Sequence, residues 1–210
     1  MIVGIGGLYG AGKDAVSDYL VDNYDWVKFG MSDALNDALL KLNPLVPVKQ
    51  DDPEPDAIWA VQNRITAHVR YDELYASVGY VEAKKNPEVR RLLQVLGTEV
   101  GRNMIDDAVW VNIAKRRVLD ASRNRDVILT GIRYPNEQDM IRSIGGDLWW
   151  VDRPGFARAA GGTQHSSETT LSSAGFDQTI RNDGTLNDLY IKIDDLINRT
   201  PSHPKSVMLF

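Results

Sequence analysis

An α/β domain carrying an inserted subdomain is the fold class this sequence predicts, and three observations lead to it. An apolar stretch, Ile2, Val3 and Ile5, runs into the glycine-rich segment Gly7 to Lys13 and from there into a helical pattern. Short apolar strands alternate with helical patterns again from Asp106 toward the C-terminal region. Between the two, a proline-rich interval breaks the alternation. A length of 210 residues, 43% of them hydrophobic, suits one such domain and is short for two independent ones.

The first element gives the glycine-rich segment its meaning. Gly7-Leu8-Tyr9-Gly10-Ala11-Gly12-Lys13 fits the pattern GxxxxGK between a strand and a helix. Glycines there let backbone N–H groups turn inward around phosphate oxygens, and Lys13 adds a cation beside them. Ala15, Val16, Tyr19 and Leu20 recur at helical spacing from Asp14 to Tyr24, so the positive end of that helix faces the anion. The segment therefore predicts binding of a nucleoside polyphosphate. Asp14 occupies the position where a Ser or Thr hydroxyl ordinarily touches Mg²⁺. Its carboxylate is a candidate Mg²⁺ ligand, directly or through water, or simply a residue favoured at a helix start.

Asp25 to Phe29 reads as a second strand, and Ser32 as the N-cap of a helix to Leu42. Asn43 to Pro55, with four prolines and Asp51, Asp52 and Glu54, reads as a surface loop. A helix is expected over Tyr71 to Lys84. Pro87 then opens a helix to Met104 whose Val89, Leu92, Leu93, Leu96 and Val100 share one face. Arg91, Gln94, Thr98 and Arg102 fall on the other, at about 100° per residue. By spacing alone such a stripe faces solvent. Gly97 and Gly101 each cost about 1 kcal/mol relative to alanine in a helix, which implies a close neighbour, either a ligand or another helix.

Asp106 or Asp107 caps a helix to Ser122, and Val127 to Leu129 form a strand that ends in Thr130 and Gly131. An acidic residue reaching Mg²⁺ is looked for there and is not present. Arg133 follows, then a helix opened by Pro135, Asn136 and Glu137, ended by Gly145-Gly146, and a strand over Leu148 to Val151. Asp152 to Ser173 is polar and glycine-rich and contains Arg153, Arg158, His165 and Glu168, so it reads as a flap or an ordinary surface loop. A strand at Gln178 to Arg181, the Asn182-Asp183-Gly184 turn and a helix with Leu186, Leu189, Tyr190, Ile193 and Ile197 on one side complete the series, before a tail with Pro201 and Pro204.

The net charge of −5 argues against a nucleic-acid polymer as partner. The absence of cysteine excludes disulfides and thiolate metal sites. Neither a signal-like segment nor an apolar run near membrane-spanning length is expected, so the protein reads as soluble and cytoplasmic.

Taken together, GLYGAGKDAV at Gly7 to Val16, LLQVLGTEVGR at Leu92 to Arg102, VILTGIRYPNEQDMIRSIGG at Val127 to Gly146, HSSETTL at His165 to Leu171 and IRNDGTLNDL at Ile180 to Leu189 resemble the bacteriophage-type deoxynucleoside monophosphate kinases of the P-loop nucleoside monophosphate kinase fold. The resemblance covers nearly the whole chain. It implies a five-stranded parallel sheet flanked by helices, with a core at 1–30 and 106–198, a helical monophosphate-binding insert at 31–105, a lid at about 152–173 and a tail at 199–210.

The same resemblance implies catalysis by Lys13, Arg133, Arg153 and Arg158. ATP would be held by Gly7, Tyr9, Gly10, Ala11, Gly12, Lys13, Asp14, Ala15, Asn182 and Gly184, and Mg²⁺ by Asp14. The acceptor would meet Ser32, Arg91, Gln94, Thr98, Arg102, Arg133, Glu137 and Glu168. Gly131 stands where this family often has an aspartate, which shifts metal binding toward Asp14. The partners implied are small nucleotides, with a homodimer as the assembly many relatives adopt. Two other readings stay open: a kinase for another small acceptor such as dephospho-coenzyme A, and an ATP-binding protein without catalysis.

Overall fold

The computed structural model describes residues 1–49, 66–155 and 171–199. They divide into two compact units, Met1–Met31 with Val111–Phe210, and Ser32–Trp110. In the first unit the strands are β1 (Ile2–Gly7), β2 (Val27–Gly30), β5 (Val127–Thr130), β6 (Asp147–Asp152) and β7 (Gln178–Arg181), and they form one sheet in the order β2-β5-β1-β6-β7. Every pairing is parallel, with Ile5 opposite Thr130 on one side and Trp149 on the other. The five-stranded parallel sheet expected from the sequence is thus the one observed.

Side chains alternate across this sheet as a strand requires. Val3, Ile5, Ile128, Trp149, Val151 and Ile180 turn to one face, where α1 (Lys13–Tyr24) and α7 (Leu186–Arg199) cover them with Val16, Leu20, Leu189 and Ile193. Val127, Leu129 and Leu148 turn to the other, beneath Val111, Ala114 and Val118 of α5 (Val109–Ser122) and Met140 and Ile141 of α6 (Pro135–Ser143). Burial of each such side chain contributes about 1.5–3 kcal/mol. With both faces dry, the polar chemistry of the unit is confined to the strand ends. β1 lies at the centre, where connections depart to either side, and ligands bind at such a switch point outside the carboxyl ends of the strands.

The second unit contains α2 (Asp33–Leu42), an antiparallel hairpin of β3 (Leu45–Lys49) and β4 (Thr66–Arg70), α3 (Tyr71–Ala83), α4 (Pro87–Gln94) and a π-helical segment, Val95–Ile105. Its core is Leu39, Val46, Tyr71, Ala83, Val89 and Leu93. Ser32 occupies the N-cap of α2 but makes no capping bond through its side chain. Asn86 does cap α4, its Oδ1 accepting from the Glu88 and Val89 amides.

Two expectations are corrected in this unit. The proline-rich interval is not loop throughout: after Asn43 and Pro44, Leu45 to Lys49 is a strand, with Val46 fully buried and Pro47 accommodated in a two-stranded hairpin. The helix after Pro87 also does not keep one period, because α4 gives way at Val95 to the wider π register. Residues 50–65, 156–170 and 200–210 lie outside the described residues, and with them Arg158, His165, Glu168 and the expected tail.

Candidate active site

The loop between β1 and α1 is shaped by three glycines at positive φ: Gly7 at 144°, Gly10 at 70° and Gly12 at 103°. A Cβ on Gly7 would lie 2.5 Å from the Val151 carbonyl oxygen of β6, so the neighbouring strand itself excludes a side chain. Gly12 is the left-handed N-cap of α1, and the ladder begins with the Val16 amide donating to the Gly12 carbonyl. The amides of Lys13, Asp14 and Ala15 therefore belong to the first turn, which has no intrahelical acceptors and carries the positive end of the helix dipole. Ser17 fixes that turn from beneath; fully buried, its hydroxyl meets the Lys13 and Asp14 carbonyls, each at 3.0 Å.

Lys13 Nζ donates to the carbonyls of Gly7 at 2.8 Å and Leu8 at 2.7 Å, which holds its ammonium over the loop. An open cleft beside it is lined by Gly7, Tyr9, Lys13, Ile132, Arg133, Trp150 and Leu171. Lys13 and the exposed Arg133 thus line this cleft together with the apolar Ile132, Trp150 and Leu171. Tyr9, at the loop tip, is strongly exposed.

Arg133 is held by its backbone. The Glu137 carboxylate, 3% exposed, accepts from the Arg133 amide at 2.7 Å and the Tyr134 amide at 3.2 Å while capping α6. Glu137, read from the resemblance as an acceptor contact, here fixes the backbone of Arg133 and Tyr134 at the start of α6. Arg153, just past β6, reaches the Gly10 carbonyl at 3.4 Å. Asn182 anchors the loop from the opposite side: its amide donates to Asp152 O at 2.7 Å and its Nδ2 to Ala11 O at 2.8 Å. Gly184 lies against the Asp188 carboxylate, which caps α7 through Thr185; the Thr185 amide and hydroxyl hold that carboxyl below its usual range.

Asp14 sits at the first turn of α1 with its side chain 85% exposed, one oxygen 3.2 Å from Lys28 Nζ. Lys28 also pairs with Asp18 at 2.9 Å. Partial burial opposes its charge, but the two carboxylates outweigh that and raise its pKa. Among the described residues no three acidic or histidine side chains converge as a metal cage. Mg²⁺ does not require one, since it takes one or two carboxylates together with substrate phosphates and water. Asp14 fits that sparse donor set, and Lys28 has Asp18 as a second partner.

Ser32, Arg91, Gln94, Thr98 and Arg102 all belong to the second unit. Arg91 forms a fork with Glu88, at 2.8 and 2.7 Å, and lowers the Glu88 carboxyl pKa through that bond. Gln94 and Thr98 are exposed and Arg102 half-buried. The α-helical stripe drawn through these four residues does not survive the change of register, because the angle per residue falls beyond Gln94. The close neighbours that Gly97 and Gly101 implied are Leu35 of α2 and the indole of Trp110.

The parallel sheet, the strand–GxxxxGK–helix loop at its central strand and the flanking Lys13 and Arg133 define an α/β phosphotransferase of the P-loop kinase class. Comparison with known proteins carries the assignment further. A family model described as deoxynucleotide monophosphate kinase matches residues 54–193, and the chain belongs to that family. It is 25% identical to the deoxynucleotide monophosphate kinase of Enterobacteria phage T4 over 93% of this chain and 98% of that protein. A protein of Acanthamoeba polyphaga mimivirus, described as a putative deoxynucleotide monophosphate kinase, is 24% identical over 92% of this chain and 94% of its own length. The solved dephospho-CoA kinase of Campylobacter jejuni aligns with a TM-score of 0.47 and 10% identity over 94% of this chain and 95% of that one, too distant to bear on the acceptor.

Proposed function

We propose that the protein transfers the γ-phosphoryl group of ATP to the 5′-phosphate of a deoxynucleoside monophosphate, giving ADP and a deoxynucleoside diphosphate. The observation that carries this reading is the amide cradle of Gly7 to Ala15 beside a cleft that Lys13 and Arg133 line with Ile132, Trp150 and Leu171, in a chain of the deoxynucleotide monophosphate kinase family. The bond from the γ-phosphorus to the β,γ-bridging oxygen breaks as a bond to an acceptor phosphate oxygen forms. That oxygen is already anionic near neutral pH, so no covalent enzyme intermediate is needed. The protein aligns the two phosphates, screens charge and excludes water.

Lys13 and the loop amides hold the donor phosphates, and Arg133, its backbone fixed by Glu137, meets the transferring group. Arg153, tethered to Gly10, supports the same charge, with Arg158 of the expected lid. Asn182 and Gly184 lie toward the donor base. Asp14 would hold Mg²⁺, which would supply neutralisation of the charge on the donor phosphates. Ser32, Arg91, Gln94, Thr98, Arg102 and Glu168 form the acceptor side in our reading, within a monophosphate-binding insert of about residues 31–105.

No helix among the described residues is long and apolar enough to cross a membrane. The setting we expect is the cytoplasm, that of the host cell if the chain is of phage origin, and sedimentation of the purified chain tests for a homodimer. An ADP-release assay across all deoxynucleoside and ribonucleoside monophosphates and dephospho-coenzyme A, with ATP and Mg²⁺, tests the function. Turnover with at least one deoxynucleoside monophosphate is expected, and Lys13→Ala should abolish it while the fold persists. ATP binding without turnover on any of these acceptors, or turnover with dephospho-coenzyme A alone, would refute the proposal.

A further inference from the structure

Eleven consecutive residues, Val95–Ile105, adopt the π register. That register is uncommon beyond a single turn and tends to occur where a helix serves a function. Departures from the α ladder have local causes, among them a side chain inserted against it. Here the side chain is Trp110. Its Nε1–H donates to the Gly97 carbonyl at 2.8 Å, thirteen residues back along the chain. A Cβ on Gly101 would lie 2.5 Å from that same nitrogen and 2.7 and 2.8 Å from Cε2 and Cζ2, so the indole lies directly on the Gly101 backbone. On the Gly97 side, a Cβ would come within 3.1 Å of Leu35. Alanine at either position would push against an occupied wall.

The turn that returns Trp110 to the helix is itself bonded. The Asp106 amide donates to the Gly101 carbonyl at 3.0 Å, the i to i−5 pairing of a π turn, and Asp106 then accepts from the Val109 amide through its carbonyl and the Ala108 amide through its carboxylate. In an α-helix the Gly97 carbonyl would be served by the Gly101 amide. The indole N–H takes a place at that carbonyl while its ring occupies the space over Gly101, so the ladder is biased toward the longer pairing. The choice of register has a large angular consequence. Over the eight residues from Gln94 to Arg102, roughly 100° per residue in an α-helix against roughly 82° in a π-helix changes the azimuth of Arg102 by about 145°.

We propose that Trp110, seated in the notch left by Gly97 and Gly101, is a positioning residue for the acceptor nucleotide: it sets the π register and thereby the direction in which Thr98 and Arg102 are presented relative to Gln94. The inference rests on the reading above that Gln94, Thr98 and Arg102 meet the monophosphate. It adds a specificity determinant that makes no contact with the substrate. Because the device acts on one substrate, its signature is a split between kinetic parameters.

Trp110→Phe keeps the aromatic packing and deletes the N–H donor, and Gly101→Ala attacks the notch from the other side. Both should raise KM for the deoxynucleoside monophosphate about tenfold, leaving KM for ATP within about twofold, as the loss of one directed contact implies. In parallel, couplings across hydrogen bonds read by NMR should join Asp106 N to Gly101 C′ in the wild type and move to Ile105 N in the variants, as the α register requires. An unchanged acceptor KM together with retained π couplings in Trp110→Phe would overturn the proposal, as would equal losses for both substrates. Gln94→Ala and Arg102→Ala separate the two layers. If neither alters acceptor KM, the acceptor assignment fails and the positioning role with it, whereas a rise in these two without one in Trp110→Phe refutes the wedge alone.

Discussion

Gly12→Ala tests whether the phosphate loop is held in one conformation by its surroundings. Gly12 sits at φ 103° and ψ 19°, in the left-handed region, where an L-residue costs about 1–2 kcal/mol. The added Cβ would also fall 2.6 Å from Asn182 Nδ2, closer than van der Waals contact permits. Asn182 must then swing away and give up its 2.8 Å bond to the Ala11 carbonyl, a further loss of about 1 kcal/mol. The Leu189 methyl at 3.9 Å is ordinary contact and adds nothing. The sum is about 2–3 kcal/mol, small enough against a typical stability of 5–15 kcal/mol for the variant to remain folded.

Urea unfolding of wild type, Gly12→Ala, Asn182→Ala and the double variant measures this directly. Because the steric clash and the lost bond involve the same side chain, the double variant should cost about 1 kcal/mol less than the sum of the singles. Calorimetric titration with ATP should show at least tenfold weaker binding for Gly12→Ala, since a relaxed loop turns its amides out of the cradle. A Gly12→Ala cost below about 0.5 kcal/mol, or strict additivity with Asn182→Ala, would refute the reasoning.

Two other expectations concern buried polar groups. Glu137→Ala leaves the Arg133 and Tyr134 amides without their acceptor; urea unfolding should show a loss of about 2–3 kcal/mol, and ATP binding should weaken because Arg133 is no longer fixed. Glu137→Gln, which keeps one acceptor oxygen, should lose about half as much, and equal losses in both variants would contradict this account. Tyr71 is fully buried with its hydroxyl on Asn36, and burial, reinforced by Tyr80 and Tyr75, pushes its pKa up to about 12 from 10.0. The folded state therefore retains a proton that the unfolded chain releases, so this contribution is complete below pH 10.0 and is lost as pH rises toward about 12. Unfolding free energy measured across that window should fall with pH, and Tyr71→Phe should flatten the slope.

The parts of the molecule legible from residues alone are those in which local pattern and tertiary environment agree. β7 spans Gln178–Arg181 as expected, and α3 begins at Tyr71 and ends within one residue of expectation, although Gly79, at φ 74° and ψ 169°, breaks it into two helical stretches. Asp106 was one of two candidates to cap the next helix, and it is Asp106 whose carboxylate takes the Ala108 amide. Pro47 misled because proline is read as a loop signal, whereas a two-stranded hairpin tolerates a residue without an N–H donor. Lys28 escaped notice altogether: a single lysine on a short strand carries no motif, and its importance comes from meeting Asp14 and Asp18 of another element. Trp150 fell inside the strand expected over Leu148 to Val151 and Ile132 carried no signal of its own, yet both line the cleft.

What residue order determined by itself was the chemistry of the phosphate loop and the parallel sheet behind it, because glycine conformational freedom, helix polarity and strand burial are local properties written over a few residues. What only the tertiary structure decided was the use to which neighbouring side chains are put. Glu137 fixes the backbone at Arg133, Asn182 braces the loop, and Trp110 packs against Gly97 and Gly101 of a helix whose register changes at Val95. Each of these depends on distances between residues remote in sequence or on a shift in helical period, and a pattern read at one fixed period contains neither.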